Sequence, residues 1–218
     1  MTVTLRETAY AKFRESLYSQ ELKAGQFVSQ KELSTLLDVP MGAIREALKR
    51  LEAGGLIKLI AQRGVQIVDV NVTFINEAFE FRIMIESEAV RRVAKAPDVA
   101  MLTALRSRTQ EIIDNFEIDP SDDLLQDAME VDLELHELLV SAFSNKMIRE
   151  SYQLLADKIR LIRLNNLYSV EHLQFAMREH LEIIDSLLAK DQDAAVASLR
   201  AHLITSWRRS LGQPWEME

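Results

Sequence analysis

The amino-acid sequence predicts a mainly α-helical protein in which three helices and a β-hairpin are followed by an all-helical bundle of about six helices. Five of the six glycines lie within the first 64 residues, and none lies between Val65 and Leu211. Because tight turns need glycine more than helices do, the first part is expected to be rich in turns and the rest helical. Charge divides at nearly the same place: residues 1–70 carry a net +2 and residues 71–218 a net −10, within a total of −8.

Composition excludes several classes of protein. Hydrophobic residues make up 48% of the 218 residues and charged residues 28%, as is typical of a folded globular protein. There is no cysteine, so disulfide bonds, thiolate metal sites and a cysteine nucleophile are excluded. No apolar run approaches the ~18 residues of a membrane span, and the N-terminus lacks the apolar region of a signal peptide, so a cytoplasmic location is expected.

The first seventy residues contain signals for two helices before the most basic segment. Thr4 to Gln20 has helical apolar spacing, and the chain turns after it at Gly25. Ser29 and Glu32 fit a capping box, in which each side chain satisfies the other residue's backbone N–H. A short second helix is therefore predicted to begin there and to continue to Leu37.

A third helix and a hairpin complete this part. The helix is predicted from about Met41 to Ala53, with Pro40 before it and two glycines after it. Two short strands follow, Leu56–Ile60 and Val65–Val68, joined by a turn. Helix, helix, turn, helix and hairpin form the order of a winged helix-turn-helix, a DNA-binding fold.

Basic residues lie where such a domain would contact DNA. Arg45, Lys49 and Arg50 share the third helix, and Arg63 lies in the hairpin turn beside Gly64, which permits close backbone approach. A basic helix face is more often simply solvated. The element order favours DNA binding over that reading.

Six helices are predicted in the remainder, with good N-cap residues at Asp98, Ser121, Asn145 and Ser169. Their predicted ranges are about Thr73–Ala96, Asp98–Phe116, Ser121–Phe143, Asn145–Leu167, Val170–Lys190 and Gln192–Leu211.

Four polar residues interrupt the apolar stripes of three of these helices. Asp132 and His136 are separated by one turn and point the same way, while His180 and His202 lie on the inward stripes of the last two helices. Burying these side chains without compensation is costly, and a divalent metal would give them a common purpose. Imidazole and carboxylate suit zinc or nickel, and also manganese or iron. A single histidine on such a stripe is usually a satisfied core residue, and His172, off the stripe, is interpreted as a surface or capping residue.

Arg82 is a further charged residue on an apolar face. The simplest interpretation is an intrahelical ion pair with Glu86, one turn later. The functional interpretation is a clamp for a carboxylate ligand, for which Arg160 and Arg163 are weaker candidates.

The first seventy residues contain four motif stretches, Glu21-Leu-Lys-Ala-Gly25, Ser29-Gln-Lys-Glu-Leu33, Ile44-Arg-Glu-Ala-Leu-Lys-Arg-Leu-Glu-Ala-Gly-Gly-Leu56 and Gln62-Arg-Gly64. In combination they resemble the N-terminal domain of GntR-type transcription regulators. The resemblance implies that Arg45 reads bases and that Gly64 approaches the minor groove, with Lys31 at a further DNA-contacting position. The family usually begins this helix with Ser-Arg, whereas Pro40 and Met41 stand here. The DNA-contacting set is therefore predicted as Lys31, Met41, Arg45, Lys49, Arg63 and Gly64, with an altered operator core.

The remainder contains a second set of motif residues, Phe79-Glu-Phe-Arg82 with Glu86, Asp132 with His136, Ser144-Asn145, Glu179-His180 and Ala201-His202-Leu203. This set resembles the FCD domain of the FadR branch of these regulators. The resemblance implies a metal site of Asp132, His136, His180 and His202, whose coordination a small organic acid completes. The expected effector-binding residues are Arg82, Asn145, Arg160 and Arg163. The expected domains are a DNA-binding domain over 1–70, a linker over 71–76 and an effector domain over 77–212.

The expected function is a one-component bacterial regulator that binds a pseudo-palindromic operator as a homodimer and responds to a small carboxylate. Two alternatives remain open. One is a metal sensor, in which the ion itself is the signal. The other is a metalloenzyme that hydrates or hydrolyses a substrate, although no additional general acid or base stands out on the inward stripes.

Overall fold

The computed structural model describes residues 4–116, 118, 121–165 and 170–214, without the side chain of residue 122. Within them the chain forms nine α-helices and one small sheet, arranged in two compact units. The first unit contains the described residues up to Ile75 and the second half of one later helix, from Ala156 onward. The second unit contains the rest. The prediction of a mainly α-helical chain with a winged helix-turn-helix first is confirmed.

The first unit follows the predicted order with one additional strand. Its elements are α1 (Leu5–Tyr18), β1 (Phe27–Val28), α2 (Gln30–Leu36), α3 (Met41–Ala53), β2 (Ile57–Ile60) and β3 (Gly64–Ile67). The antiparallel sheet has the order β1-β3-β2, with Ile57 opposite Ile67 and Val28 opposite Val65. Strand β1 was not predicted, because two residues at a sheet edge are too few to show an alternating pattern.

Capping boxes begin the first two helices. In α2 the Ser29 Oγ accepts the backbone N–H of Glu32 at 3.1 Å, and the backbone N–H of Ser29 donates to Glu32 Oε2 at 2.7 Å. The predicted capping box is therefore present. Thr4 and Glu7 form a second one at the start of α1.

We expect Ser29→Ala to lower the free energy of unfolding by about 1 kcal/mol, because the backbone N–H of Glu32 loses its partner. Urea-induced unfolding followed by circular dichroism measures this. Thr35→Ala in the same helix is the control and should change the free energy by less than about 0.5 kcal/mol, since Thr35 is exposed. An equal loss in both variants would contradict the capping role.

A close backbone contact explains one glycine of the wing, which is the hairpin formed by β2 and β3. Gly64 has φ +95°, a conformation that other residues rarely adopt. A Cβ at this position would lie 2.8 Å from the backbone oxygen of Val28 and 3.2 Å from Cα of Ser29. The absence of a side chain at Gly64 therefore permits β3 to pair with β1. This structural requirement for glycine is independent of any contact with DNA.

A buried carboxylate lies beside the apolar core of the first unit. Asp157, from the second half of the helix Lys146–Asn165, accepts the hydroxyls of Tyr18 at 2.7 Å and Tyr10 at 3.3 Å, both from α1. Arg14 pairs with the same carboxylate at 2.6 Å. Burial, followed by the charge of Asp157, raises the pKa of both tyrosines, so they remain hydrogen-bond donors at neutral pH.

The six predicted later helices are all present, with ends within three residues of the prediction. They are α4 (Val72–Lys95), α5 (Val99–Phe116), α6 (Asp122–Ser141), α7 (Lys146–Asn165), α8 (Val170–Leu188) and α9 (Gln192–Ser210). Helix α8 packs against α5, α6 and α9, so it is the central helix of the second unit. None of the described helices is long and apolar enough to cross a lipid bilayer.

The predicted caps and linker can be compared with these ends. Asp98, Ser121 and Asn145 accept backbone N–H groups at the starts of α5, α6 and α7, whereas Ser169 lies outside the described residues. Helix α4 already begins at Val72, so most of the segment 71–76 is the first turn of a helix. The domain limits at 70 and 77 remain a prediction.

Candidate metal centre and DNA-binding surface

Four buried side chains from three helices meet in the second unit. Asp132 and His136 come from α6, His180 from α8 and His202 from α9, and one ligand atom of each lies within 4.8 Å of all the others. All four are at most 3% exposed. The convergence expected from the spacing on separate helices is therefore present in the folded chain.

The short distances in this cluster all involve the Nε2 atom of a histidine ring. His180 Nε2 lies 3.5 Å from Asp132 Oδ1 and 3.3 Å from His202 Nε2. His136 Nε2 lies 3.9 Å from the same Asp132 oxygen. Three Nε2 atoms and one carboxylate oxygen thus face one small volume, a donor set that suits a divalent transition metal.

The protonation of His136 fits this donor set. Burial and the nearby Arg82 cation lower the pKa of His136 to about 4, so the ring is neutral at neutral pH. Its Nδ1 lies 2.6 Å from Glu86 Oε2. Within the described chain its buried Nε2 has no hydrogen-bond partner. A metal ion would supply the missing partner of a buried nitrogen that faces a carboxylate and two more imidazoles.

Glu86 connects His136 to two further side chains. Its Oε1 accepts from Arg82 Nε and from the Tyr152 hydroxyl, each at 2.7 Å, while its Oε2 faces His136. Burial alone would raise the pKa of Glu86, but Arg82 and His136 hold it at about 2. Sequence reasoning paired Glu86 with Arg82 and missed its contact with His136. Only the spacing from Arg82 hinted at an inward side chain, and nothing pointed to Tyr152.

A second carboxylate contacts another histidine of the cluster. Glu179 Oε2 lies 2.8 Å from His202 Nδ1, and Arg209 Nη2 donates to both Glu179 oxygens at 3.2 Å. Burial would raise the pKa of Glu179, whereas His202 and Arg209 lower it below its ordinary value. Sequence reasoning missed this role too. The available signal was Arg209, a charge two helical turns after His202 on the same stripe.

The four expected effector-binding residues fall in different surroundings. Arg82 is 2% exposed and adjoins the cluster through Glu86, and its Nη1 has no hydrogen-bond partner within the described residues. Asn145 is exposed and caps α7 through the backbone N–H of Met147. Arg160 and Arg163 lie on the part of α7 that belongs to the first unit, where Arg160 stacks 3.8 Å from the centre of the Tyr18 ring. The structure thus brings Arg82 to the cluster, and the roles of the other three stay predictions.

Basic side chains predicted to contact DNA lie on the surface of the first unit. Lys31 of α2 and Arg45 and Lys49 of α3 are exposed, as is Arg63 in the turn between β2 and β3. Lys49 also pairs with Glu46 at 2.7 Å. Met41 is half-buried at the first position of α3. Arg45 and Lys49, one turn apart, present one basic face suited to a major groove.

A winged helix-turn-helix joined to an all-helical domain with a candidate metal centre defines a class of protein, the two-domain transcription regulators. Residues 5–67 match the family model described as bacterial regulatory proteins of the gntR family. Residues 77–205, more than half of the chain, match the FCD domain. The chain belongs to the GntR family of regulators that carry an FCD domain, and its role is regulatory.

Individual proteins resemble all or part of this chain. The uncharacterized HTH-type transcriptional regulator YdhC of Bacillus subtilis is 25% identical over 193 residues, which cover 88% of this chain and 85% of YdhC. The structure of McbR/YncC of E. coli has 16% identity and a TM-score of 0.79, over 97% of this chain and 99% of that one. The Zn²⁺-bound FCD domain of TM0439 has 23% identity and a TM-score of 0.53, over 66% of this chain and 95% of that one. The structural likenesses show a shared fold.

Proposed function

We propose that this regulator binds a pseudo-palindromic operator as a homodimer, and that a small organic acid bound at a metal in its second unit changes its affinity for DNA. The observation that carries the proposal is the buried cluster of Asp132, His136, His180 and His202, with an unpartnered His136 Nε2 among the described residues. It lies in a chain whose other unit is a DNA-binding domain.

The four residues of the cluster would hold one divalent ion. Neutral imidazole nitrogens and a carboxylate favour zinc or nickel, with manganese or iron as alternatives. The Zn²⁺-bound FCD domain of TM0439, which shares the fold of the second unit, supports zinc. When bound, such an ion would act as a Lewis acid toward a ligand oxygen.

The proposed effector is a small carboxylate that contacts Arg82 beside the metal. Arg82 is buried, and its Nη1, which carries two N–H donors, has no partner in the described chain. Donation from Nη1 to an acidic ligand would satisfy this group. Asn145, Arg160 and Arg163 remain proposed contributors. The acid changes DNA binding only to the extent that it binds two conformations of the protein unequally.

DNA recognition is proposed to rest on α3 and the wing. Arg45 would read base edges in the major groove, while Lys31, Lys49 and Arg63 would contact the backbone and Gly64 would approach the minor groove. Met41 would replace a contact usual in the family. A dimer would place two such units on half-sites one helical turn or a multiple apart.

The proposal is tested with the metal-replete full-length protein. Selection from random DNA yields an operator, and a thermal-shift screen of organic acids yields a stabilising ligand. We expect that acid to change the operator dissociation constant by about fivefold or more. Arg45→Ala should weaken operator binding about tenfold or more, whereas Arg91→Ala, a partly exposed arginine of the second unit, should not. An acid that binds without altering operator affinity would overturn the effector role.

A metal sensor is the second candidate. The cluster offers four protein ligands, which suffice for a closed tetrahedral zinc site without any organic acid. Removal of the metal with a chelator separates the two functions. If chelation alone abolishes or creates operator binding, and no organic acid alters it, the ion itself is the signal.

A further inference from the structure

We propose that two Arg–Glu pairs, Arg82–Glu86 and Arg209–Glu179, are positioning elements of the metal centre, because each carboxylate contacts Nδ1 of one proposed ligand imidazole. The inference rests on the proposed metal site. It assigns to both arginines a role that acts through a glutamate.

The first pair and its imidazole form one continuous network. Arg82 Nε donates to Glu86 Oε1 at 2.7 Å, and Glu86 Oε2 lies 2.6 Å from His136 Nδ1. Arg82, Glu86 and His136 are each at most 2% exposed. The Tyr152 hydroxyl donates a further hydrogen bond to Glu86 Oε1, so the carboxylate is held from both sides.

The second network repeats the same order on other helices. Arg209 of α9 donates to Glu179 of α8, and Glu179 Oε2 lies 2.8 Å from His202 Nδ1. His202 is 1% exposed and Arg209 is 7% exposed, while the side chain of Glu179 keeps 22% of its surface accessible. Two of the three proposed histidine ligands are thus each connected through a glutamate to an arginine, in the order Arg–Glu–His.

An ordinary ion pair explains the contacts of Glu86 less well. In the exposed pair of Arg106 and Asp185, both carboxylate oxygens accept from the guanidinium, as both Glu179 oxygens do from Arg209. In Glu86 the two oxygens are divided, one toward Arg82 and the other toward the ring of His136. A carboxylate that serves only to neutralise Arg82 has no need of a buried imidazole.

The chemical consequence concerns which nitrogen of each ring carries the proton. A carboxylate can only accept, so an imidazole that is neutral in either position places its proton on Nδ1 and keeps the lone pair of Nε2 toward the cluster. The hydrogen bond also fixes the ring plane and raises the basicity of the ligand nitrogen. Each arginine holds its glutamate in place and compensates its buried charge. His136 and His202 are thereby oriented before a metal arrives.

Zinc affinity is measured by competition with a chromogenic chelator on the full-length wild type and on two variants of equal side-chain size, Glu179→Gln and Glu86→Gln. We expect each variant to bind one equivalent of Zn²⁺ about 10 to 100 times more weakly than the wild type. Asp185→Asn, which breaks the exposed ion pair with Arg106, is the matched control and should keep wild-type affinity. Glu179 is partly exposed, so Glu179→Gln serves even if Glu86→Gln does not fold.

A second readout separates positioning from general stability. Nitrogen-15 NMR of the metal-free wild type should show His136 and His202 as Nδ1–H tautomers, and Glu179→Gln should reduce this form for His202 but not for His136. Wild-type zinc affinity and an unchanged tautomer in folded Glu179→Gln would overturn the inference. If His180→Ala also retains one tightly bound Zn²⁺, the proposed metal site itself fails. If His180→Ala loses the metal while Glu179→Gln does not, only the positioning role fails.

Discussion

Replacing His180 with alanine is expected to abolish stoichiometric metal binding, with zinc affinity reduced by more than about 100-fold. His180 Nε2 is the atom that lies nearest to two other ligands, 3.3 Å from His202 Nε2 and 3.5 Å from Asp132 Oδ1. Its helix, α8, packs against both α6 and α9, which carry the other three ligands. The three remaining ligands would then surround a gap on the side of the central helix.

The measurement is metal content after gel filtration, combined with a chelator competition. Addition of Zn²⁺ should raise the thermal midpoint of the wild type, since a ligand that binds only the native state stabilises it, and this shift should vanish in His180→Ala. His172→Ala is the matched control, because this histidine lies in the first turn of the same helix and is half-buried outside the cluster. A folded His180→Ala protein that retains one tightly bound metal would refute the site.

Gly64→Ala is expected to lower the free energy of unfolding of the first unit by about 2 to 4 kcal/mol. The new Cβ would lie 2.8 Å from the Val28 oxygen, and alanine strongly disfavours φ +95°. Since the Cβ would meet backbone atoms, relief requires β1 to separate from β3. The apolar side chains of Val28 and Val65, which face each other across these strands and are both buried, would then lose contact.

Gly42→Ala is the matched control for Gly64→Ala. Gly42 lies in the first turn of α3, and a Cβ there would meet nothing within 4 Å. Because alanine favours helix over glycine, this variant should gain about 0.5 to 1 kcal/mol. Urea-induced unfolding followed by far-ultraviolet circular dichroism compares the two. Equal effects, or a neutral Gly64→Ala, would contradict the role of the close strand contact.

Much of the candidate site could be predicted because it is encoded within single helices. Asp132 and His136 are one turn apart, so their shared direction follows from helical geometry alone. His180 and His202 likewise interrupt apolar stripes that could be read from spacing. By contrast, Glu179 lies next to His180 but contacts His202 of another helix, and the spacing along one helix does not identify a partner on another.

For every described element except the two-residue strand β1, the sequence by itself determined the kind of element and its place in the order, from capping residues, glycine positions and apolar spacing. It also determined which faces of the later helices are buried, because periodicity along one helix is a local property. Tertiary structure alone decided that the four candidate ligands converge, that Glu86 and Glu179 contact Nδ1 of two histidine rings, and that a glycine is needed at position 64 beside the backbone of Val28. These features depend on the angles and distances at which separate elements pack, and side chains far apart in the chain set those angles together.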